Sequence, residues 1–456
     1  MKIKLIFNIF ILIIIVVGVI GITRYNTEPR EENIHNLTAT IIKVENDKFT
    51  VQDNKNIIYT FNISDTNINK GDKINLKYKG KLNKNKDSQD VEIIEYEKGT
   101  EKTDEGGVPL EWKDNGIFRK FYILANEKIK KMSLNEKIAQ ILLVRYPEEN
   151  AKEILSNYQF GGYIFFAKDF KDKTKEEVID MIKNLQNVAK IPILTAVDEE
   201  GGIVVRVSSN KNIRNEPFKS PRQLYLAGGM DRIKEDVKEK STILSELGIN
   251  LNLAPVVDVS TNPNDYMYQR ALGENTQITS KYAKIVIEES KKFDVSYTLK
   301  HFPGYGNNED THTKTSVDNR TYEDIIKNDL PPFQSGIKAK AEAILVSHNT
   351  VNSIDKNNPA SLSPDIHNLL RNKLKFTGII ITDDLAMGAI DNVEAATVKA
   401  ILAGNDLIIT TDYEKSFNAI KKAIDNKTID ESLINKLAFR IIAWKYYKGL
   451  MMDTKK

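Results

Sequence analysis

One polar stretch of this 456-residue sequence contains two histidines, and their spacing from acidic and basic residues suggests a catalytic or metal-binding role. The stretch KHFPGYGNNEDTHTKTSVD (300–318) begins with Lys300 and His301 and contains a D-x-H step formed by Asp310 and His312, although the chain has only five histidines. A carboxylate can hold one nitrogen of an imidazole ring, and histidine titrates near neutral pH, so this step could move a proton. A metal site and a polar surface loop are the alternatives.

Other ionisable residues stand where apolar segments of the sequence end: Asp198 with Glu199 and Glu200, Asp258 and the loop up to Arg270, Lys300 with His301, His348, and Asp383 with Asp384. One such residue could mark a strand that reaches water, whereas several strand ends at one edge of a barrel enclose a shared cavity. The chain has no cysteine and lacks the G-x-S-x-G, H-E-x-x-H and P-loop patterns. The remaining chemistries are a metal hydrolase with His and Asp ligands, and glycosyl transfer by a carboxylate and a separate acid.

The elements that must position these residues alternate between strand and helix over residues 115–456. Most of the strand segments are continuous apolar runs, as in parallel strands that are covered on both faces. The segments are 140–146, 161–167, 192–198, 249–259, 295–301, 342–349, 377–384 and 406–412. SLNE (133–136) has the pattern of a capping box that opens a helix. We therefore predict an α/β fold with a (β/α)8 TIM-like barrel, and a doubly wound open sheet is the alternative.

A different pattern occupies residues 36–98, where short segments alternate apolar and polar residues, as in strands with one buried face. These segments are 38–44, 48–53, 56–63, 72–80 and 90–96. Five short strands indicate a small all-β domain, and their number suits a small barrel of the OB type. Such a domain could bind oligosaccharides or nucleic acid, but a spacer or packing role is the simpler interpretation. Residues 99–114 then form a linker.

The first 25 residues predict a transmembrane segment. Residues 5–23 carry no charge, which is enough apolar length to cross a hydrocarbon core, and Lys2 and Lys4 on their N-terminal side indicate a cytoplasmic start. A cleaved signal peptide is the main alternative to this anchor. Either interpretation exports the remaining chain, so we expect a single-pass protein of the cell membrane or a secreted one. A net charge of +3 argues against nucleic acid as a partner.

Several segments of the barrel region, taken together, resemble a known family. They are MSLNEKIAQ (132–140), VDEEGGIVVRV (197–207), NLAPVVDV (252–259), QRALGEN (269–275), KHFPGYG (300–306), DTH (310–312) and TDDLAMGAI (382–390). In this order they resemble glycoside hydrolase family 3, and within it the single-barrel bacterial β-N-acetylglucosaminidases. The resemblance implies an exo-acting, retaining hydrolase that removes terminal β-linked N-acetylglucosamine from cell-wall or related glycans. It implies no cofactor and no metal.

The resemblance also implies roles for single residues. Asp383 matches the family's catalytic nucleophile, His312 its general acid/base, and Asp310 the carboxylate that partners this histidine. The positions that bind the terminal N-acetylglucosamine are matched by Asp198, Arg206, Arg270, Lys300 and His301. We expect His348 and Asp384 to support the site without taking part in the reaction.

Three positions depart from the family's usual pattern. Tyr305 stands where a second histidine is common, Ile203 replaces a frequent arginine, and Glu199 replaces a frequent glutamine. All three lie outside the catalytic set, so they affect expectations about recognition of the leaving group. The alternatives are another exo-β-glycosidase, such as a glucosidase or xylosidase, an N-acetylglucosaminide phosphorylase, or a non-catalytic membrane-tethered protein that binds cell-wall glycan.

Overall fold

A computed structural model of the chain describes residues 34–45, 48–53, 57–62, 68, 70, 72–83, 89, 91–98, 103–104, 106–306, 316–388, 390 and 392–451. The predicted transmembrane segment (1–25) lies outside these ranges, and so do Asp310 and His312. No helix within the described ranges combines the length and the apolar character needed to cross a membrane. The chain divides into two compact units, Met1–Lys102 and Thr103–Lys456.

The described residues of the first unit form a five-stranded antiparallel sheet. The strands are β1 (Ile34–Glu45), β2 (Lys48–Asp53), β3 (Ile58–Asn62), β4 (Lys73–Lys79) and β5 (Glu92–Lys98). Their order is β3-β2-β1-β4-β5, so β1 pairs with both β2 and β4. Every second residue of β4 is buried, which places Ile74, Leu76 and Tyr78 in the core of this unit and explains the alternating sequence.

The five strands predicted for this unit are confirmed. A closed barrel of the OB type needs a further pairing between β3 and β5, and the described residues show none. The OB-type assignment therefore stays a prediction.

The described part of the second unit contains an eight-stranded parallel sheet. Its strands are β6 (Leu142–Arg145), β7 (Gly162–Phe165), β8 (Leu194–Val197), β9 (Leu251–Asn252), β10 (Ser296–Phe302), β12 (Ala343–Val346), β14 (Ile379–Thr382) and β15 (Ile408–Thr410). Two further strands, β11 (Val317–Asp318) and β13 (Thr350–Val351), form a small separate sheet. The order is β14-β12-β10-β9-β8-β7-β6-β15, and a bridge between Ile381 and Leu407 joins the two edges. The sheet is thus a nearly closed barrel, and the predicted barrel is confirmed.

Helices follow the strands and cover the barrel. They are α1 (Tyr122–Ile129), α2 (Leu134–Gln140), α3 (Ala151–Tyr158), α4 (Ala167–Phe170), α5 (Lys175–Val188), α6 (Pro221–Glu246), α7 (Thr276–Ser290), α8 (Tyr322–Asn328), α9 (Leu330–Lys338), α10 (Pro364–Asn368), α11 (Val393–Ala403), α12 (Tyr413–Asp425) and α13 (Glu431–Tyr447), with 3-10 turns at Leu110–Trp112, Arg119–Phe121, Tyr266–Gln269 and Ala360–Leu362 and a π turn at Leu369–Lys373. The predicted capping box is confirmed, since Ser133 and Glu136 each bond the other's backbone at the start of α2. The helix α6 is interrupted at Gly228 and Gly229.

One strand is much shorter than predicted. The apolar run 249–259 contains only the two-residue strand β9, because Pro255 has no N–H to donate to a sheet. The chain beyond β9 nevertheless continues along its neighbour: Val257 donates to the carbonyl of Lys300, and Lys300 donates to the carbonyl of Pro255. This extension carries Asp258 to the same edge of the barrel as the end of β10.

Candidate active site

A cavity of about 410 Å³ lies at the C-terminal ends of the barrel strands. Apolar residues of the strands line its inner end, among them Ile164 of β7, Leu345 of β12 and Ile409 of β15. Polar and ionisable residues at or beyond the strand ends line the rest: Arg145, Asp198, Glu200, Arg206, Tyr266, Arg270, Lys300, His301, Asp383 and Asp384. The predicted convergence of strand ends on one cavity is therefore confirmed.

Lys300 and Arg270 are held by a buried carboxylate, Glu200. The Arg270 guanidinium donates from Nε and Nη2 to the two oxygens of Glu200, at 2.9 and 2.6 Å. Lys300 Nζ lies 2.5 Å from Glu200 Oε1 and donates to Asp198 Oδ1 at 2.7 Å. Asp198 and Glu200 follow β8, Lys300 lies near the end of β10, and Arg270 follows the 3-10 turn Tyr266–Gln269. Their mutual bonds fix the positions of both cations relative to the cavity.

The charges of this network reinforce one another. Burial alone would raise the pKa of Glu200, but the adjoining Arg270 and Lys300 cations outweigh burial and hold its pKa well below the ordinary value. Burial likewise opposes the charge of Arg270, and Glu200 outweighs it and raises the pKa of the guanidinium. Glu200 and Arg270 are therefore both charged at neutral pH.

His301 is oriented by Asp258. Its Nδ1 lies 2.8 Å from Asp258 Oδ2, and its Nε2 lies 3.3 Å from Arg270 Nη2. Because a guanidinium can only donate, His301 Nε2 accepts from Arg270. The ring proton is therefore on Nδ1, which donates a hydrogen bond to Asp258. The other oxygen of Asp258 accepts from the backbone N–H of Tyr305 at 2.7 Å. Asp258 thus fixes both the histidine ring and the chain that follows it.

The loop after β8 is folded around a second buried carboxylate, Glu199. One of its oxygens accepts from the backbone N–H groups of Arg206 and Val207, at 2.8 and 2.6 Å, and the other accepts from the hydroxyl of Ser208 at 2.5 Å. This arrangement turns the chain back so that Arg206 Nη2 lies 3.9 Å from Asp198 Oδ2. Glu199 therefore fixes the shape of the loop. Its three hydrogen bonds explain why a carboxylate suits this position, where the family usually has a glutamine.

Two guanidiniums flank one aromatic ring at the side of the cavity. The Cζ atoms of Arg145 and Arg206 lie 4.4 and 5.3 Å from the centre of the Phe166 ring. Contacts of this kind hold an arginine in place without neutralising its charge. Arg145, at the end of β6, adds a cation to the site that the sequence did not single out.

Asp383 and Asp384 follow β14 and have different surroundings. Asp383 is half-buried and lines the cavity. Asp384 accepts from the backbone N–H of Ala386 at 2.9 Å and from the hydroxyl of Thr411 at 3.0 Å, and burial raises its pKa. The predicted supporting role of Asp384 agrees with these bonds.

His348 lies behind Asp384 and away from the cavity. It is fully buried, with Nδ1 2.7 Å from the hydroxyl of Ser361 and Nε2 2.9 Å from the carbonyl oxygen of Asp384. Both ring nitrogens are engaged, which agrees with the predicted supporting role.

Comparison with known proteins identifies the family. Residues 133–443 match the glycosyl hydrolase family 3 N terminal domain. The chain belongs to glycosyl hydrolase family 3. This family 3 chain is 28% identical over 316 residues to a β-hexosaminidase of Xylella fastidiosa (strain M23), a similarity that covers 67% of this chain and 92% of that relative. It is 26% identical over 330 residues to the β-hexosaminidase LpqI of Mycobacterium tuberculosis, covering 69% and 83% of the two chains.

A solved structure agrees with this assignment. A glycoside hydrolase family 3 β-N-acetylglucosaminidase from Paenibacillus sp. str. FPU-7 matches the family 3 chain with a TM-score of 0.65 and 26% identity. The match covers 70% of this chain and 63% of the Paenibacillus chain, so this chain spans less than two thirds of that neighbour's length.

The family 3 barrel places six of the predicted site residues around the cavity: Asp198, Arg206, Arg270, Lys300, His301 and Asp383. Asp310 and His312 lie outside the described residues, so their predicted roles stay predictions. Sequence reasoning missed the parts played by Glu200, Asp258 and Arg145. Each stands at or just after an apolar segment, and this position was the available signal.

Proposed function

We infer that the protein is an exo-acting β-N-acetylglucosaminidase that removes terminal β-linked N-acetylglucosamine. The observation that carries this inference is the cavity itself. The half-buried carboxylate of Asp383 shares it with the Asp198–Lys300–Glu200–Arg270 network and His301. Charged side chains of this kind grip sugar hydroxyls through strong hydrogen bonds. The apolar inner end of the cavity suits a site where a glycan chain terminates, and the β-hexosaminidase relatives support the sugar specificity.

The proposed reaction proceeds with retention through a covalent glycosyl-enzyme. Asp383 attacks the anomeric carbon while His312 protonates the leaving oxygen, and water then displaces Asp383 after giving a proton to His312. Asp310 holds the His312 ring and favours its protonated form. Asp198, Arg206, Arg270, Lys300 and His301 bind the terminal sugar.

Activity of the wild type, Asp383→Asn and His312→Ala on a β-linked N-acetylglucosamine disaccharide, whose leaving group needs an acid, tests this proposal. General acid/base groups contribute about 100- to 10,000-fold, so we expect His312→Ala to lose at least 100-fold on a substrate with a poor leaving group. Asp383→Asn should be slower still. Asp384→Asn is the control, because it makes a similar change at a neighbouring residue. Wild-type rates in both Asp383→Asn and His312→Ala would refute the assignment.

A panel of aryl β-glycosides separates this activity from another exo-glycosidase. A preference for the N-acetylated sugar over glucose and xylose supports the proposal, and equal rates on all three contradict it. Proton NMR of the first sugar released, before mutarotation, should show the β anomer, as retention requires.

We further propose that residues 1–25 anchor the protein in the membrane and that residues 115–456 act outside it, with 99–114 as a linker. On this view the natural substrates are cell-wall or related glycans, and the five-stranded unit (36–98) is an OB-like spacer. The apolar run at residues 5–23 supports the anchor. Cell fractionation with an antibody to the barrel tests this proposal, because a cleaved segment would release the enzyme into the medium.

A further inference from the structure

A buried cluster of two carboxylates and one guanidinium lies beside the strand end that carries His301. Arg320 Nε lies 3.1 Å from both oxygens of Asp318, and its Nη2 lies 2.7 Å from Asp318 Oδ2. Its Nη1 donates to Asp329 Oδ2 at 2.8 Å. Asp318 and Asp329 are each 1% exposed. None of the three lines the cavity, so the reaction as proposed does not use them.

The cluster touches the chain on both sides of residues 307–315. On the N-terminal side, Gly304 and Gly306 pack against it: a Cβ atom on Gly306 would lie 2.7 Å from Arg320 Cζ, and one on Gly304 would overlap Asp329. Both glycines have positive φ, 126° and 62°, which lets the chain turn closely over these side chains.

On the C-terminal side of the same segment, Asp318 belongs to β11. This strand is anchored to β13, since Thr350 donates to the carbonyl of Ser316 and Asn352 donates to the carbonyl of Asp318. Arg320 therefore packs against the chain before residue 307 and is bonded to the chain after residue 315.

The charges show how strongly the cluster depends on its single cation. Burial, together with the nearby Asp258 and Asp318, raises the pKa of Asp329 to about 7 even though Arg320 lowers it. Asp329 Oδ1 has no hydrogen-bond partner among the described residues. Removal of Arg320 would leave two buried carboxylates without a compensating charge, and they would separate or take up a proton.

We propose that Arg320 is a positioning residue for proton transfer: it fixes the spacing between the two chain segments that flank Asp310 and His312. The proposal rests on the proposed function, which assigns His312 as the acid/base. A displacement of about 1 Å in a reacting group can cost roughly 100-fold in rate. Loss of the Arg320 side chain should therefore slow the steps that need His312. Sugar binding should stay nearly unchanged, because the proposed function assigns it to His301, which Asp258 holds, and to the neighbours of His301.

The test compares Arg320→Ala with wild type on a β-linked N-acetylglucosamine disaccharide and on a 2,4-dinitrophenyl glycoside. The disaccharide needs an acid for its leaving group, whereas the dinitrophenolate leaves without one. We expect kcat on the disaccharide to fall about 10- to 100-fold with KM within about threefold of wild type. Dinitrophenol release should fall less and should be accelerated by azide. Azide attacks the anomeric carbon of the glycosyl-enzyme, releases the Asp383 carboxylate and forms a glycosyl azide, and it has no proton to lose.

Two further variants keep the proposal testable if Arg320→Ala folds poorly. Arg320→Lys retains the charge but not the planar guanidinium that reaches both carboxylates. We therefore expect its kcat on the disaccharide to lie between those of wild type and Arg320→Ala. Guanidinium ion added at millimolar concentration should partly restore Arg320→Ala, because the ion can occupy the vacated position. Thermal unfolding of each variant separates lost stability from lost rate.

Arg371→Ala is the matched control. The Arg371 side chain is 25% exposed, against 26% for Arg320, and it also pairs with a buried carboxylate, Asp406. It lies at the opposite end of the barrel, where it donates to the carbonyl of Gly378 just before β14. We expect a similar loss of thermal stability in this variant without a change in kcat or an azide effect.

The outcomes distinguish failure of this proposal from failure of the proposed function. If His312→Ala is impaired and accelerated by azide but Arg320→Ala turns over both substrates at wild-type rates, Arg320 has no positioning role. Equal losses on both substrates without an azide effect also overturn the proposal. If His312→Ala is fully active, the proposed function itself is wrong.

Discussion

Replacing Glu200 with glutamine removes one negative charge from the buried network while keeping the shape of the side chain. In the wild type both oxygens of Glu200 accept from Arg270, and one of them also meets Lys300. After the substitution, Arg270 and Lys300 remain buried with one compensating carboxylate fewer. The new amide nitrogen, itself a donor, then faces the donor groups of Arg270 or Lys300 and cannot bond to them. We expect the variant to be less stable and to bind the sugar more weakly.

The size of the effect follows from the burial. Removing one partner of a buried ion pair costs about 3–5 kcal/mol, and we expect about 3 kcal/mol because the amide oxygen still accepts one hydrogen bond. The unit Thr103–Lys456 has about 350 residues and unfolds with an entropy of roughly 0.7 kcal/mol/K. The unfolding midpoint should therefore fall by about 4 °C, and KM should rise by about tenfold or more as Arg270 and Lys300 lose their fixed positions.

The difference should depend on pH in a definite direction. Arg270 and Lys300 hold the folded-state pKa of Glu200 below its ordinary value of 4.5. Its ionised form therefore contributes stability that is fully present above about pH 4.5 and is lost as the pH falls towards the folded-state pKa. Differential scanning calorimetry should show a constant difference between the two proteins from pH 5 to about pH 8, and a smaller difference below pH 4.5.

Glu239→Gln is the control for this experiment. Glu239 also pairs with an arginine, Arg214, at 2.9 Å, but its side chain is 48% exposed, so we expect a change below about 1 kcal/mol. Two results would refute the reasoning: a Glu200→Gln protein as stable as wild type at pH 7, or a difference that stays constant down to pH 3.

Three further substitutions test other contacts of the site. Asp258→Asn should lower kcat/KM by about 10- to 100-fold because asparagine has one oxygen for two donors, His301 Nδ1 and the Tyr305 N–H, so the His301 ring is held less well, and steady-state kinetics measure this. Asp384→Asn should change kcat by less than about tenfold, since the amide oxygen can still accept from the backbone N–H of Ala386 and the amide nitrogen can donate to the hydroxyl of Thr411. Gly306→Ala should lower kcat and the unfolding midpoint together, because the added Cβ meets Arg320; normal kcat in this variant would contradict the packing described.

The sequence predicted the barrel because its strands are covered on both faces and therefore read as uninterrupted apolar runs. It predicted the cavity for a related reason: ionisable residues follow those runs, and parallel strands bring their C-terminal ends to one edge. Asp198, Lys300 and Asp383 were found in this way. The short length of β9 was not, since an apolar run does not reveal that Pro255 interrupts the hydrogen-bonded pairing.

The pairing of the site residues could not be read from the sequence. Glu199 and Glu200 are adjacent and chemically alike, yet Glu199 shapes a loop and Glu200 binds Arg270. Successive residues of an extended chain point in opposite directions, and only the three-dimensional arrangement decides which one faces the cavity. The pairing of Asp258 with His301 was missed for a similar reason, because the two residues are distant in sequence and adjacent only in the barrel.

The closure of the barrel has a consequence for how the chain must be made. The first strand, β6, pairs with the last, β15, and β15 also meets β14, the strand that ends at Asp383. Until the polypeptide has been synthesised beyond Thr410, β6 and β14 are two open parallel edges with unpaired backbone groups. Such edges invite pairing with other chains and hence aggregation. We therefore expect a premature stop before Ile408 to produce an aggregation-prone fragment.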